Sequence, residues 1–161
     1  MAFARERSIA FGSHRGDGCP IYTVEPDGSS LRKLTNDTYV NPRPASDPDG
    51  TKIAFGAGNI WVMGADGFNL RKLSPNRSDA SNADSSPTWP PSGDEVAFMS
   101  GGPPNQFHTD VYMMDVDGSN QTNLTDSPNI DEISPDFPPD GSRMCIYRTG
   151  PTCPIPTFST G

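Results

Sequence analysis

The chain is short of most things that an enzyme or a membrane-spanning protein uses. Its 161 residues include two histidines, His14 and His108, and three cysteines. Neither histidine has a metal-ligand spacing to a second ligand. There is no nucleophile elbow and no cluster of catalytic bases. Hydrophobic residues are 32% of the chain, and no apolar run nears the roughly 20 residues that cross a bilayer. Basic residues number 12 against 20 acidic ones, for a net charge of -8. Without a basic patch the surface disfavours nucleic acid and anionic membranes; acidity supports solubility but names no partner. Met1-Ala2-Phe3-Ala4-Arg5 lacks the apolar core of a signal peptide, so an export signal, if the protein uses one, lies elsewhere. Three cysteines leave at least one unpaired within a monomer. Helical periodicity is absent throughout.

What is abundant is turn residues, 18 Pro and 16 Gly, set between short apolar runs. Such regular runs argue against a disordered chain. They also repeat. Ile9-Ala10-Phe11 returns as Ile53-Ala54-Phe55, Val96-Ala97-Phe98 and Met144-Cys145-Ile146, at offsets of 44, 43 and 48. Ile21-Tyr22, Ile60-Trp61 and Val111-Tyr112 form a second series. Asp27-Gly28, Asp66-Gly67 and Asp117-Gly118 form a third, and Leu34-Thr35, Leu73-Ser74 and Leu124-Thr125 a fourth. Four landmarks in one order, at this period, are the signature of a β-propeller.

Each full unit reads as four strands, A to D from the axis outward: 41–46, 52–57, 59–66 and 70–74 in the second unit. Asp-Gly pairs suit the A–B and C–D hairpins, because Gly, and to a lesser extent Asp, tolerates positive φ. Segment B is apolar at consecutive positions, as in a strand covered on both faces. Segment A is rich in proline, which places it at a sheet edge, here facing the channel. Charged residues in segment D, such as Arg32-Lys33 and Arg71-Lys72, are expected to guard the outer edge.

Together these residues resemble the WD40-like repeat of TolB-type propellers. Ser86-Pro87-Thr88-Trp89-Pro90-Pro91-Ser92-Gly93 matches the first part of that repeat, and Ile60-Trp61-Val62-Met63-Gly64-Ala65-Asp66-Gly67 the second. The resemblance covers about residues 7 to 149. Ala45 and Phe137 are read as replacing the expected Trp, and Ser92 replaces Asp in a turn. The expected fold is an all-β partial propeller of four-stranded antiparallel blades, one domain over 1–161. Its units lie at about 7–35, 41–74, 86–125 and 134–158, in the order BCD, ABCD, ABCD, ABC. An open arc leaves apolar end faces that a soluble monomer avoids. The chain is then a fragment of a larger propeller, one of two closing a ring, or a homo-oligomer stacked end to end.

Binding residues are sought on loops of the scaffold. The B–C and D–A connections share a face, and the two long insertions both serve the third unit. Candidate partner contacts are Asn76, Arg77, Asn105, Gln106, Phe107 and His108. Asp115, Asp117 and Asn120 imitate the start of a calcium loop, but no Glu stands at its twelfth position and the same residues form the regular C–D turn. No other cofactor is expected. Arg15-Gly16-Asp17 reads as a turn. Cys145, in place of Ala54, reads as a small core residue. Cys19 and Cys153 hold equivalent places in the first and last units and could pair between subunits.

The resemblance implies a non-catalytic scaffold that binds a protein partner, periplasmic or extracellular, with no membrane span. The alternatives are a structural subunit whose arcs self-assemble into a ring or fibre, and a fragment of the propeller of a prolyl-peptidase-type enzyme. Some related propellers are metal-dependent lyases of pectic sugars, but two distant histidines do not build such a site.

Overall fold

A computed structural model describes residues 8–13, 18–36, 42–75, 83–101 and 108–149. Among these there are thirteen strands and no helix. Blade 1 holds β1 (Ile9–Gly12), β2 (Ile21–Val24) and β3 (Arg32–Lys33). Blade 2 holds β4 (Ala45–Ser46), β5 (Lys52–Gly56), β6 (Ile60–Gly64) and β7 (Arg71–Lys72). Blade 3 holds β8 (Ser85–Thr88), β9 (Glu95–Ser100), β10 (Asp110–Asp115) and β11 (Thr122–Asn123). Blade 4 shows β12 (Asp131–Asp136) and β13 (Cys145–Thr149). Every blade is an antiparallel meander in chain order. The fourteenth strand, expected in 153–157, lies outside the described residues. The fold is therefore the partial propeller that the repeat announces.

The fourth landmark has a mechanical explanation. The Ile21, Ile60 and Val111 amides donate to the hydroxyls of Thr35, Ser74 and Thr125 at 3.0, 2.9 and 3.1 Å. Their carbonyls accept from the amides of Leu34, Leu73 and Leu124. A hydroxyl after the Leu thus locks the outer strand to the start of segment C in each blade. Ser74→Ala orphans a buried amide and is expected to lower stability by about 1–2 kcal/mol, read from the urea midpoint. A smaller loss than Thr35→Ala in the more open first blade would contradict this account.

Blades pack face to face. The back of blade 1 (Ala10, Ile21, Leu34) meets the front of blade 2 (Ile53, Phe55, Trp61, Met63). The back of blade 2 (Ala54, Ile60, Val62, Leu73) meets Trp89, Val96, Phe98 and Met114 of blade 3. On each back face one alanine, Ala10 or Ala54, stands among larger residues and leaves room for the large side chains of the next front face. Arg32 and Arg71 do not merely guard an edge. Arg32 Nη2 donates to the Asp66 carbonyl at 2.8 Å. Arg71 donates to the Val116 and Asp117 carbonyls at 2.8 and 3.3 Å. Each clamps the C–D turn of the following blade.

Three sequence expectations need correction. Double coverage of segment B holds for β5 and β9 but not for the end blades: Ile9 is 53% exposed where Ile53 is 1%. Cys145 is exposed, not core: Ala54, in the equivalent place, is covered by the following blade, and among the described residues no blade follows blade 4. Ser46, rather than Ala45, occupies the place of Trp89. Thr88 pairs with Ala97 and Ala45 with Ala54, which sets the equivalence one residue later.

Candidate functional site

The inner strands β4, β8 and β12 lie side by side along the arc and each carries the same distortion. Arg43, Ser86 and Ser134, each directly before a proline, have φ of 38°, 50° and 55°. In β8 and β12 the register shifts at this point, between Ser85 and Thr88 and between Ile133 and Asp136. The proline has no amide for the ladder, so a bulge costs the edge strand little. Arg43 Nη1 donates to Ser86 Oγ at 2.9 Å, joining two successive positive-φ positions. Trp89 Nε1 donates to the Ala45 carbonyl at 3.0 Å, a second tie between the same blades.

Beyond the bulges, toward the A–B turns, the inner strands flank a groove of about 740 Å³. Its walls are Ser46, Asp47, Pro48 and Asp49 from blade 2, Thr88, Trp89 and Pro91 from blade 3, and Asp136, Phe137, Pro138 and Pro139 from blade 4. Three carboxylates and no basic side chain line it. Trp89 is buried and stiffens the wall, whereas Phe137 is half-buried beside the exposed Asp136. The groove suits an extended segment that offers cationic and apolar side chains. The A–B turns, read in sequence only as hairpins, carry this site. The acidic Asp47, Asp49 and Asp136 among the prolines were its one visible signal.

Asp47 holds one wall in place. It is buried and accepts from the Thr51 amide at 2.7 Å, the Thr51 hydroxyl at 2.8 Å, the Lys52 amide at 3.0 Å and Lys52 Nζ at 3.3 Å. Burial works to raise its pKa, but these donors, led by the Lys52 amide and the Thr51 hydroxyl, together outweigh it and hold the carboxyl below its ordinary value. A depressed folded pKa stabilises the protein above the unfolded value, about 3.9. That stabilisation is lost as pH falls through the lower, folded value. Asp47→Asn is therefore expected to lower neutral-pH stability and to flatten the acid limb below about pH 4, in urea midpoints measured across pH. An unchanged acid limb would remove Asp47 from this role.

Of the partner contacts singled out from sequence, His108 alone is described. Asn76, Arg77, Asn105, Gln106 and Phe107 lie outside the described residues. His108 is half-buried, with Nε2 at 3.9 Å from Asp110 Oδ2. Asp110, unremarked in the sequence, is fully buried. It accepts from Asn123 Nδ2 at 2.8 Å and from the Thr125 hydroxyl and Ser127 amide at 3.4 Å each. It anchors the end of the long B–C insertion to the D–A connection. Glu132, also fully buried, pairs with Arg148 at 3.0 Å. The Gly58–Asp84 bridge joins a B–C loop to the start of the next inner strand, so these connections do share a face.

Asp115, Asp117 and Asn120 stand in one hairpin turn. Asn120 Nδ2 donates to Asp115 Oδ2 at 2.7 Å, and the Ser119 amide donates to Asp117 Oδ1 at 2.8 Å. The Ser119 hydroxyl and amide hold the Asp117 carboxyl below its ordinary pKa. Among the described residues no three His, Cys, Asp or Glu side chains gather as a metal site. Cys19 is 2% exposed and unpaired, so a bond to another subunit needs its loop to open. Cys153 lies outside the described residues.

No protein-family model matches the chain. A TolB homolog of Chlorobium luteolum is 31% identical over 142 residues, 86% of this chain and 31% of that protein. The chain thus spans about a third of the length of this curated relative. A solved structure of a protein of Agrobacterium tumefaciens assigned as TolB aligns at TM-score 0.66 and 26% identity, over 88% of this chain and 54% of that one. The TolB of Acinetobacter baumannii aligns at TM-score 0.74 and 17% identity, over 91% and 36%, a likeness of fold.

Proposed function

Because the chain is a TolB-like β-propeller arc with WD40-like repeats, we propose that it is a non-catalytic module that binds a protein partner, and that the inner-strand groove is where it binds. One observation carries the reading. The groove of about 740 Å³ combines a half-buried aromatic, a proline wall and the carboxylates of Asp49 and Asp136, with the third, Asp47, buried against Lys52. An aromatic, prolines and carboxylates on one wall suit the recognition of a peptide segment. The complementary ligand is an extended stretch of protein with Lys or Arg near an apolar residue. Similarity to TolB proteins supports a periplasmic setting. Among the described residues no helix is long and apolar enough to cross a membrane.

The test is affinity capture from a bacterial envelope fraction with wild type and a double variant, Asp136→Lys with Phe137→Ser. Charge reversal and loss of the aromatic at the centre of a contact are expected to reduce capture at least about tenfold. Equal recovery by both proteins would place binding elsewhere, and the Asp110-anchored face would be the next to test.

A further inference from the structure

We infer that Arg43 decides which segments the inner-strand groove accepts: besides its Lys or Arg, the bound segment carries an Asp or Glu a few residues away, always on the same side. The inference rests on the groove being the binding site.

The repeat supplies its own control. Arg43, Ser86 and Ser134 hold one place in three successive inner strands, each directly before a proline, with φ of 38°, 50° and 55°. Two residues after each comes a groove residue: Ala45, Thr88 and Asp136. The three therefore form one level at the end of the groove away from the A–B turns. Two of them are serines, so the fold asks for no more than a short side chain here. Blade 2 nevertheless keeps an arginine on left-handed backbone, which L-residues with a Cβ resist. Strain retained at a long charged residue, where a serine serves its sisters, points to use rather than to architecture.

The side chain is placed for that use. Arg32 and Arg71 are occupied by the carbonyls of the next blade. Arg43 is exposed, and its Nη1 donates to Ser86 Oγ at 2.9 Å. That bond steers the guanidinium along the row of inner strands. A guanidinium has five N–H donors, so others remain for a ligand. Ser134, in the same row, is exposed too.

Charge then says what the ligand offers. Asp49 and Asp136 are exposed in the groove and attract a cation. A fixed guanidinium at the end of the same groove repels one, and like charges brought together are costly. The conflict disappears when the segment is anionic where it passes Arg43. From Ser134 to Asp136 is two residues, about 6.5 Å along a strand, and the turn residue Asp49 lies further on. An extended ligand rises about 3.3 Å per residue, so its acid and its base stand about two to four residues apart. The same layout rejects uniformly basic segments, which a chain of net charge -8 otherwise draws in. Specificity by a built-in repulsion is the role assigned to Arg43.

The test selects random heptapeptides displayed on phage against the immobilised protein. Clones are kept only if the Asp136→Lys, Phe137→Ser variant fails to hold them, which confines the readout to the groove. The kept clones are expected to carry an Asp or Glu two to four residues from a Lys or Arg, on one constant side. A synthetic peptide of that kind is expected to lose at least about tenfold in affinity when its acid is changed to Lys. On Arg43→Glu the preference between the two peptides reverses. On Arg43→Ser, which carries the residue of the sister units, the two bind nearly alike. Kept clones without an acid preference, or a preference unchanged on Arg43→Ser, would overturn the role of Arg43 and leave the groove as the binding site. A selection in which no clone depends on Asp136 and Phe137 would overturn both.

Discussion

Replacing Phe98 by alanine is expected to destabilise the protein by about 3–5 kcal/mol, the range for emptying a fully buried aromatic site. Phe11→Ala, the same change at the equivalent position of blade 1, is expected to cost about 1–2 kcal/mol. Phe98 is 0% exposed and packed between β9 and the back of blade 2. Phe11 is half-buried and stacks on Tyr22. The residue type, strand and register are alike, so the difference isolates the contribution of a covering blade. Urea unfolding of the two variants measures it. Equal losses would mean that the first face is already covered in solution.

The glycine pair tests the same asymmetry through the backbone. Gly118→Ala meets two penalties: φ is 91°, and the new Cβ would lie 2.6 Å from the Leu73 carbonyl oxygen. The obstructing atom belongs to the backbone, so relief requires blades 2 and 3 to part. The expected loss is about 2–4 kcal/mol. Gly28→Ala has the left-handed strain without the clash and is expected to lose about 1 kcal/mol. Thermal unfolding of both variants separates strain from contact. If Gly28→Ala proves as damaging as Gly118→Ala, the turn conformation alone sets the cost and the blade contact adds nothing.

Much of the fold was legible because its devices are local. Asp-Gly turns, a hydroxyl after each outer-strand Leu and an apolar triplet at a fixed interval lie within one unit of sequence. They specify hairpins whether or not neighbours are present. Arg32 and Arg71 were legible as charges but not as clamps, since the carbonyls they hold lie 34 and 45–46 residues away in the next blade. The misplacement of Ala45 has another source: Pro44 to Gly50 spans the same length as Pro87 to Gly93, so a count from either landmark already put Ser46 in the place of Trp89. The groove was hidden for a third reason: its walls come from three units, and none of them carries a binding pattern alone.

By itself the sequence determined the unit: four short strands, their order, their turns and the apolar triplet that each unit offers to its neighbours. These follow from short-range sterics and hydrogen bonding, which act within a hairpin. Only the tertiary structure decided which triplets are core and which are surface. Ile53 and Ile9 are the same residue in the same place, yet one is buried and the other is 53% exposed. Burial depends on what stands opposite, and that is fixed by the stacking of one blade on the next.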